Sequence, residues 1–544
     1  MDVRSPTLSD AADRVLGDWL REEATADPDR PFVQCDSGWI SLAELDHRSD
    51  SMAAALQGLG VGVGDRVAVI LPNSIEYIVL VYAIAKAGAV QVPVNTYLRG
   101  EFLLHPLLES GAVLAVCDGE AMHQVVPLAP KLPALKNLVL VDGASPDAAT
   151  TLSQHRFETL QGSGRILVRP ALTPDDLCVI MYTSGTTGAS KGCVISHGYY
   201  CSIPATFVSH GWFRPGDRIF GASPLFHFTG QVSIVANALA ARGSAVLEPH
   251  FRATTFMARA REVEATVVFG VGAMAMAILA QPPAAWDCGH GIRQSTWIPM
   301  TESDQERFTE RFGIPVLSEV YGQSECWPVT LSHAHDSNRR RSGLGRALEH
   351  LEVRLVGEDD NDVPVGHVGE ILVRAKIPNR MFGGYWNNPT ATAETAHDGW
   401  HHTGDNGRFD DDGHLYFVDR KKDCLRRRGE NVSSMELERA ILAHPAVAAV
   451  AVHAVPSELG EDDIKACIVL MPEHVAEIDE MFAFFKTTLP YYAIPRYVEF
   501  LDELPVNQTL RIQKHLLRER GITETTIDLH ASGLVVERHE RRGR

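Results

Sequence analysis

Strand-like apolar runs alternate with longer helix-like ones along most of this chain. Val67–Leu71 predicts a strand, Pro72-Asn73-Ser74 a turn and helix cap, and Ile75–Ala87 the helix that follows. Val90–Val94, Val113–Cys117, Leu138–Val141, Leu177–Met181 and Val267–Phe269 predict further strands. Such alternation is α/β patterning with parallel sheets. From Gly343 to Asp419 the character changes. Short runs at Glu352–Val356, Gly369–Val373 and His414–Val418 are separated by Gly, Asp and Asn turns, as in a small β-rich subdomain. After Arg420 a compact α/β segment is predicted, with helices Met435–Ala443 and Met481–Leu489 and strands Val447–Val455 and Lys465–Met471. The boundary between the two regions is placed at Asp419–Lys422, and no internal repeat is visible.

A chain of 544 residues is too long for one core, which implies at least two domains. Apolar content of 45% and charged content of 22% are ordinary for a soluble globular protein. The net charge of −19 argues against a general nucleic-acid binder, yet leaves room for a local basic site. Nine cysteines without a C-x-x-C pair make neither a disulfide framework nor a zinc site, and fit a reducing cytoplasm. Met1–Leu20 shows no apolar core of a signal peptide. The most apolar tracts are Ile75–Val94, which contains Glu76 and Lys86, and Phe269–Ala280, which is too short to span a bilayer. Both are expected to be buried. Val535–Arg544 is a charged tail, expected to be disordered.

The densest chemistry lies in Tyr182-Thr183-Ser184-Gly185-Thr186-Thr187-Gly188-Ala189-Ser190-Lys191-Gly192. Glycines permit close backbone approach, and consecutive N–H groups in such a loop make an anion-binding concavity. The hydroxyls add donors, and Lys191 adds a cation that can reach an outer phosphate. This is not a Walker A motif, because Gly188 precedes Lys191 by three residues and Gly192 follows it. Four further stretches stand in order along the chain: Pro224-Leu225-Phe226-His227, Tyr321-Gly322-Gln323-Ser324-Glu325, Trp400-His401-His402-Thr403-Gly404-Asp405 and Asp419-Arg420-Lys421-Lys422-Asp423. His401-His402 read as solvated loop histidines, since no third ligand stands at metal-binding spacing.

This ordered set resembles the adenylate-forming superfamily of acyl- and aryl-CoA ligases, peptide-synthetase adenylation domains and luciferases. Around Gly429-Glu430-Asn431-Val432-Ser433-Ser434 the look is that of the crotonobetaine/carnitine-CoA ligase-like branch. The match runs from about Val67 to Lys514. The resemblance implies an α/β fold in three parts. These are a large N-terminal adenylation domain of parallel-sheet subdomains with the β-rich one (1–419), a hinge-linker (420–421) and a mobile α+β C-terminal domain (422–530), followed by the tail (531–544). It implies ATP and Mg²⁺ as cofactors, CoA as co-substrate and a small acid as substrate. Thr183, Ser184, Gly185, Thr186, Thr187 and Gly188 would cradle phosphate, with Lys191 catalytic. Tyr321, Gly322, Gln323 and Ser324 would meet adenine and the α-phosphate, and Glu325 with Thr183 would hold Mg²⁺. Asp405 and Arg420 would bind ribose, Lys422 would be the hinge, Gly429 would line the thiol tunnel, and His227 would face the acid.

Two departures touch the acid end of that site. Where the family usually places a catalytic lysine, Leu504–Lys514 carries Arg511, with Lys514 as the nearby alternative. Arginine keeps the charge but is a planar fork. Where relatives carry a Gly-Gly-Ala-Pro-like turn, this chain has Ser295-Thr296-Trp297-Ile298-Pro299-Met300-Thr301, whose bulk is expected to reshape the pocket floor. The leading expectation is therefore an acid–CoA ligase. The alternatives are an ATP-dependent diazotase of natural-product biosynthesis, in which an aryl amine attacks activated nitrite, transfer to a carrier-protein thiol, and an inactive nucleotide-binding homologue. A cytoplasmic enzyme with no membrane span and no nucleic-acid partner is expected, with a homodimer as the default assembly.

Overall fold

The computed structural model describes residues 13–35, 38–141, 150–183, 190–285, 287–421, 424–427, 430–456, 462–472, 474, 477–489, 493–507 and 512–535. The chain divides into two compact units, one of residues 1–353, 373–401 and 413–415, the other of residues 354–372, 402–412 and 416–544.

The first unit is built on two seven-stranded sheets. One runs Ser153–Arg156, Asn137–Leu140, Leu114–Cys117, Arg66–Ile70, Val90–Pro93, Leu177–Thr183, Lys191–Ser196 in spatial order. Its strands are parallel until the last, which turns back antiparallel on its neighbour. The other runs Val316–Leu317, Gln294–Ile298, Val267–Val271, Arg218–Gly221, Ser244–Leu247, Pro31–Cys35, Gly38–Ser41, and again only the last pair is antiparallel. The parallel α/β expectation holds, and helices cover the sheets because each strand must bury both faces.

Ile75–Val94 is buried, as its sequence implied, whereas Phe269–Ala280 is buried on one face only and leaves Met276 and Ala280 exposed. Ile75–Val94 becomes the helix Ile75–Lys86 and the strand Val90–Pro93, and Ser74 caps the helix by accepting from the Tyr77 amide at 3.2 Å. Its two charges are matched locally. The fully buried Lys86 ammonium contacts Asp46 at 2.5 Å and Asp50 at 2.7 Å, and Glu76 meets Arg48 at 3.2 Å. Phe269–Ala280 becomes the end of one strand and the helix Gly272–Leu279.

One expectation is overturned. Ser295–Ile298 is not a turn but part of the strand Gln294–Ile298, and its largest side chain, Trp297, is not turned to a pocket. Trp297 is fully buried in a core with Phe256, Phe308 and Phe312. It fits because the neighbouring strand offers Gly270, where an added Cβ would stand 2.5 Å from the indole ring. A large residue facing a small one across a sheet is ordinary interior packing.

In the second unit Val447–Pro456, Asp462–Leu470, Tyr497–Phe500 and Ile527–Asp528 form a four-stranded sheet, beside the hairpin Cys424–Arg427 and Glu430–Ser433. Strand alternation splits the side chains by face. Val450, Val452, Ile464, Ala466 and Ile468 pack with Leu437 and Ile441 of the helix Ser434–Leu442 and Met481 and Phe485 of the helix Ile478–Thr488. Ala451 and Cys467 pack instead with Leu504 and Leu517. Lys465 sits fully buried and meets the equally buried Glu499 at 2.6 Å. Glu499 also accepts from Thr523 and Thr525, each at 2.7 Å, and Lys465 donates to the Gly521 carbonyl at 2.6 Å.

Burial opposes ionisation of Glu499, but the Lys465 ammonium and the two threonine hydroxyls overcome it and hold the carboxyl at about 2. A carboxyl depressed in the folded state stabilises fully above its unfolded value, and that contribution is lost as pH falls through the folded one. Lys465→Met, which strands a buried charge, is expected to cost the second unit about 3–5 kcal/mol at neutral pH. The loss should shrink between about pH 4.5 and pH 2, read by urea unfolding across that range.

Candidate functional site

The phosphate-loop residues flank the sheet edge at which the chain reverses. Thr183 and Lys191 are register partners in the hairpin Leu177–Thr183 and Lys191–Ser196, and the Thr183 hydroxyl donates to the Lys191 carbonyl at 3.4 Å. Ser184, Gly185, Thr186, Thr187 and Gly188 lie outside the described residues. A segment not singled out in the sequence closes over this hairpin. The Trp386 amide donates to the Gly192 carbonyl at 2.7 Å, and the Gly383 amide to Val194 at 2.8 Å. Gly384, at φ +101°, makes the turn that only glycine makes without strain.

That segment delivers Tyr385, the residue that organises the site in this unit. Its ring centroid lies 5.0 Å from the Lys191 ammonium, and its hydroxyl donates to Glu325 Oε1 at 2.7 Å. Burial, then the neighbouring Glu325 carboxylate, pushes the phenol well above its usual range, so it stays a neutral donor. Lys191 makes no ion pair among the described residues. The phenol therefore sits against both charged groups, and each charge stays available. The visible signal was Gly383-Gly384-Tyr385-Trp386, a turn followed by two aromatics.

Glu325 belongs to a second hairpin. Val320–Gln323 pairs antiparallel with Cys326–Leu331, which leaves Ser324 and Glu325 as the turn between Gln323 and Cys326. Gly322 is required there, because an added Cβ would stand 2.5 Å from the Cys326 carbonyl oxygen. The buried Tyr199 hydroxyl holds the turn, donating to the Ser324 carbonyl at 3.2 Å and accepting from the Trp327 amide at 2.6 Å. Glu325 is buried, its carbonyl accepts from the Phe382 amide at 2.8 Å, and Tyr321 is buried in the strand before it.

His227 lies where the chain passes from the strand Arg218–Gly221 to a π-helix, Thr229–Ala236. π-helical turns are rare and recur at functional sites. The Phe226 ring lies 4.8 Å from the imidazole, and Nε2 is buried with no hydrogen-bond partner among the described residues. Burial pushes this histidine down to about 4.

In the second unit Asp405 is buried and meets Arg420 at 3.4 Å. Thr403 shapes the turn, donating its hydroxyl to the Ile371 carbonyl at 2.7 Å and accepting from the Asp405 amide at 3.2 Å. Glu370 accepts from the Gly404 amide at 3.2 Å and from Lys421 at 2.7 Å. Burial would raise the Glu370 carboxyl, but Lys421 and then His402 bring it below the usual range. Lys514 is committed locally, donating to the Ser434 hydroxyl at 2.6 Å and pairing with Glu438 at 2.8 Å. Lys422, Gly429 and Arg511 lie outside the described residues. The expectation of solvated loop histidines at 401 and 402 fails. Both lie in the strand Trp400–Phe409, and in the first unit His401 is buried edge-on against Phe382 at 5.2 Å.

A family model described as AMP-binding enzyme matches residues 20–386, and one described as AMP-binding enzyme C-terminal domain matches residues 436–510. A crotonobetaine/carnitine–CoA ligase of Escherichia coli O139:H28 is 31% identical over 490 residues, covering 88% of this chain and 93% of the relative. Its counterpart in Salmonella paratyphi A is 31% identical over 491 residues at the same coverage. Among solved structures, the anthranilate CoA ligase AuaEII in complex with anthranoyl-AMP superposes with a TM-score of 0.84 at 25% identity, covering 94% of this chain and 98% of that one. ATP-bound MatB from Rhodopseudomonas palustris gives 0.81 at 28% identity, with coverages of 92% and 98%.

The burial of His227 has a direct readout. Its imidazole should titrate near pH 4 rather than 6.5 by proton NMR, assigned by the signal lost in His227→Gln. A midpoint near 6.5 would show an open, solvated ring.

Proposed function

The chain belongs to the AMP-binding enzyme family, and on that premise we propose the reaction its residues carry out. It is an AMP-forming ligase of the acid–CoA type. A carboxylate oxygen attacks the α-phosphorus of ATP, the bond to the β-phosphate oxygen breaks, and pyrophosphate leaves. The thiolate of CoA then attacks the acyl carbon, and AMP leaves with the electron pair. Positioning and charge stabilisation carry such a reaction, and no protein nucleophile is needed.

The observation that carries this reading is the convergence of Lys191, Tyr385 and Glu325 from three separate stretches of chain. Lys191 supplies positive charge to the phosphates. Tyr385 holds Glu325 by one oxygen and leaves the other outside that bond. A single carboxylate suits Mg²⁺, which is bound by one or two carboxylates together with substrate phosphates. No cluster of three or more His, Cys, Asp or Glu able to cage a metal occurs among the described residues, which fits an ion carried in with ATP. When bound, that ion neutralises phosphate charge. Glu325 and the Thr183 hydroxyl are the groups that would hold it.

Asp405 accepts hydrogen bonds from the ribose, and Arg420, which pairs with it, supplies the adjacent donor. Arg511 orients the carboxylate in the first half-reaction, because Lys514 is occupied by Glu438 and Ser434. The C-terminal domain 422–530 turns on the linker 420–421 between the two half-reactions. His227, neutral above about pH 4, meets the organic part of the acid as a hydrogen-bond partner and not as a cation. This favours acids without a second carboxylate at that end. A cytoplasmic setting and a homodimer complete the proposal. No helix among the described residues is long and apolar enough to cross a membrane.

The deciding experiment is ATP-dependent pyrophosphate release with acetate, crotonate, benzoate, 2-aminobenzoate and malonate, and with nitrite plus an aminobenzoate, each with and without CoA. CoA-dependent turnover with one monocarboxylic acid is the expected result. Turnover with nitrite and amine, indifferent to CoA, would replace the ligase reading with diazotase chemistry. Lys191→Ala and Asp405→Ala should each lower adenylation by about 10²- to 10³-fold with the fold intact, and near-normal rates in either would refute its assigned role.

A further inference from the structure

Two buried amides close on one residue of the loop that carries His227. Asn73 stands in the turn after the strand Arg66–Ile70. Such a residue ordinarily caps its own helix, but here Ser74 does the capping, and Asn73 reaches elsewhere. Its Oδ1 accepts from the Leu225 amide at 2.8 Å, and its Nδ2 donates to the Ser223 carbonyl at 3.1 Å and the Glu248 carbonyl at 3.0 Å. From the π-helix, Gln231 Nε2 donates to the Leu225 carbonyl at 2.6 Å. Asn73 is 7% exposed and Gln231 1%, so water does not compete for these bonds. Leu225, two positions before His227, is thus gripped at both its N–H and its C=O by side chains from different elements.

A loop of this kind has no ladder to fix it, and its backbone groups must be satisfied by something. Asn73 satisfies two of them, bonds the Glu248 carbonyl as well, and so ties together the ends of the strands Arg66–Ile70, Arg218–Gly221 and Ser244–Leu247. Its side-chain hydrogen bonds among the described residues are all used in this way, and none goes to Lys191, Tyr385 or Glu325. We infer that Asn73 is a positioning residue for the acid half of the reaction, holding the Ser223–His227 loop in register with Gln231 as its counterpart. The role rests on the reading that His227 faces the acid. Loosening the loop should therefore weaken use of the acid and leave use of ATP alone.

The test is steady-state kinetics of Asn73→Ala, Asn73→Asp, Gln231→Leu and His227→Ala with whichever acid of the panel gives most pyrophosphate release. Asn73→Ala should lower kcat/KM for the acid by about ten- to a hundredfold, the scale of a small misplacement, while KM for ATP moves by less than about twofold. Asn73→Asp keeps the acceptor for Leu225 but turns an oxygen toward two carbonyls, so it should do no better. Combining Asn73→Ala with Gln231→Leu should cost little more than the worse single change, because both act on one residue. If Asn73→Ala does not fold, Gln231→Leu frees the same residue from the other side and carries the same expectation. Equal damage to ATP and acid parameters would overturn the inference. So would normal acid kinetics in Asn73→Ala beside impaired kinetics in His227→Ala. Unchanged acid kinetics in His227→Ala would instead sink the acid-loop reading itself, and this role with it.

Discussion

The arrangement depends on a neutral phenol placed against a cation and an anion. Were Lys191 and Glu325 in direct contact, each would satisfy the other, and a buried pair of that kind is costly to open. Tyr385 lies against both, with its ring to the ammonium and its hydroxyl to the carboxylate. Burial beside Glu325 keeps the phenol protonated, so it cannot become a third charge. The consequence is a cation and an anion that share one neutral partner without neutralising each other. Most of the local structure serves this placement. The hairpin at Thr183–Lys191 sets the ammonium, the tight turn at Gly322–Cys326 sets the carboxylate, and the Gly383–Gly384 turn brings the phenol over.

Three other lysines, Lys86 and Lys465 fully buried and Lys514 half-buried, show the contrast. Lys86, Lys465 and Lys514 each contact at least one carboxylate within 3 Å and one further oxygen. Their charges are matched inside the fold. His227 resembles Lys191 in lacking such a match, because its Nε2 is buried without a partner among the described residues. A polar atom left buried and unpaired costs about 1–3 kcal/mol, and such a cost is reasonable where a substrate supplies the missing bond. The amide clamp on Leu225 fits the same logic, since an orphaned group is useful only if the loop bearing it is held still.

Much of this was legible in the chain. The strand and helix runs from Val67 to Val94 and from Val447 to Leu489 were readable because burial on both faces leaves continuous apolar stretches. The ordered motifs located Lys191, Glu325 and Asp405 because glycine-dependent turns leave a local signature. What escaped depended on partners distant in sequence. Trp297 looked like a pocket wall because nothing near it announces that Gly270 lies beside it in the next strand. His401 looked like a loop residue because its partner Phe382 is nineteen positions away. Tyr385 was missed for the same reason, as its value lies in two contacts from sixty and nearly two hundred residues off.

The acid end is where this chain differs most from the pattern it otherwise follows, and the structure narrows what the difference means. Trp297 drops out as a pocket determinant, and Lys514 is held by Glu438, whose carboxyl is raised by burial and then partly restored by that lysine. Pulling Lys514 away would leave Glu438 buried and uncompensated. The substitution that remains is arginine at 511. A guanidinium grips a planar, two-oxygen group better than a point charge does, and it cannot lose its proton.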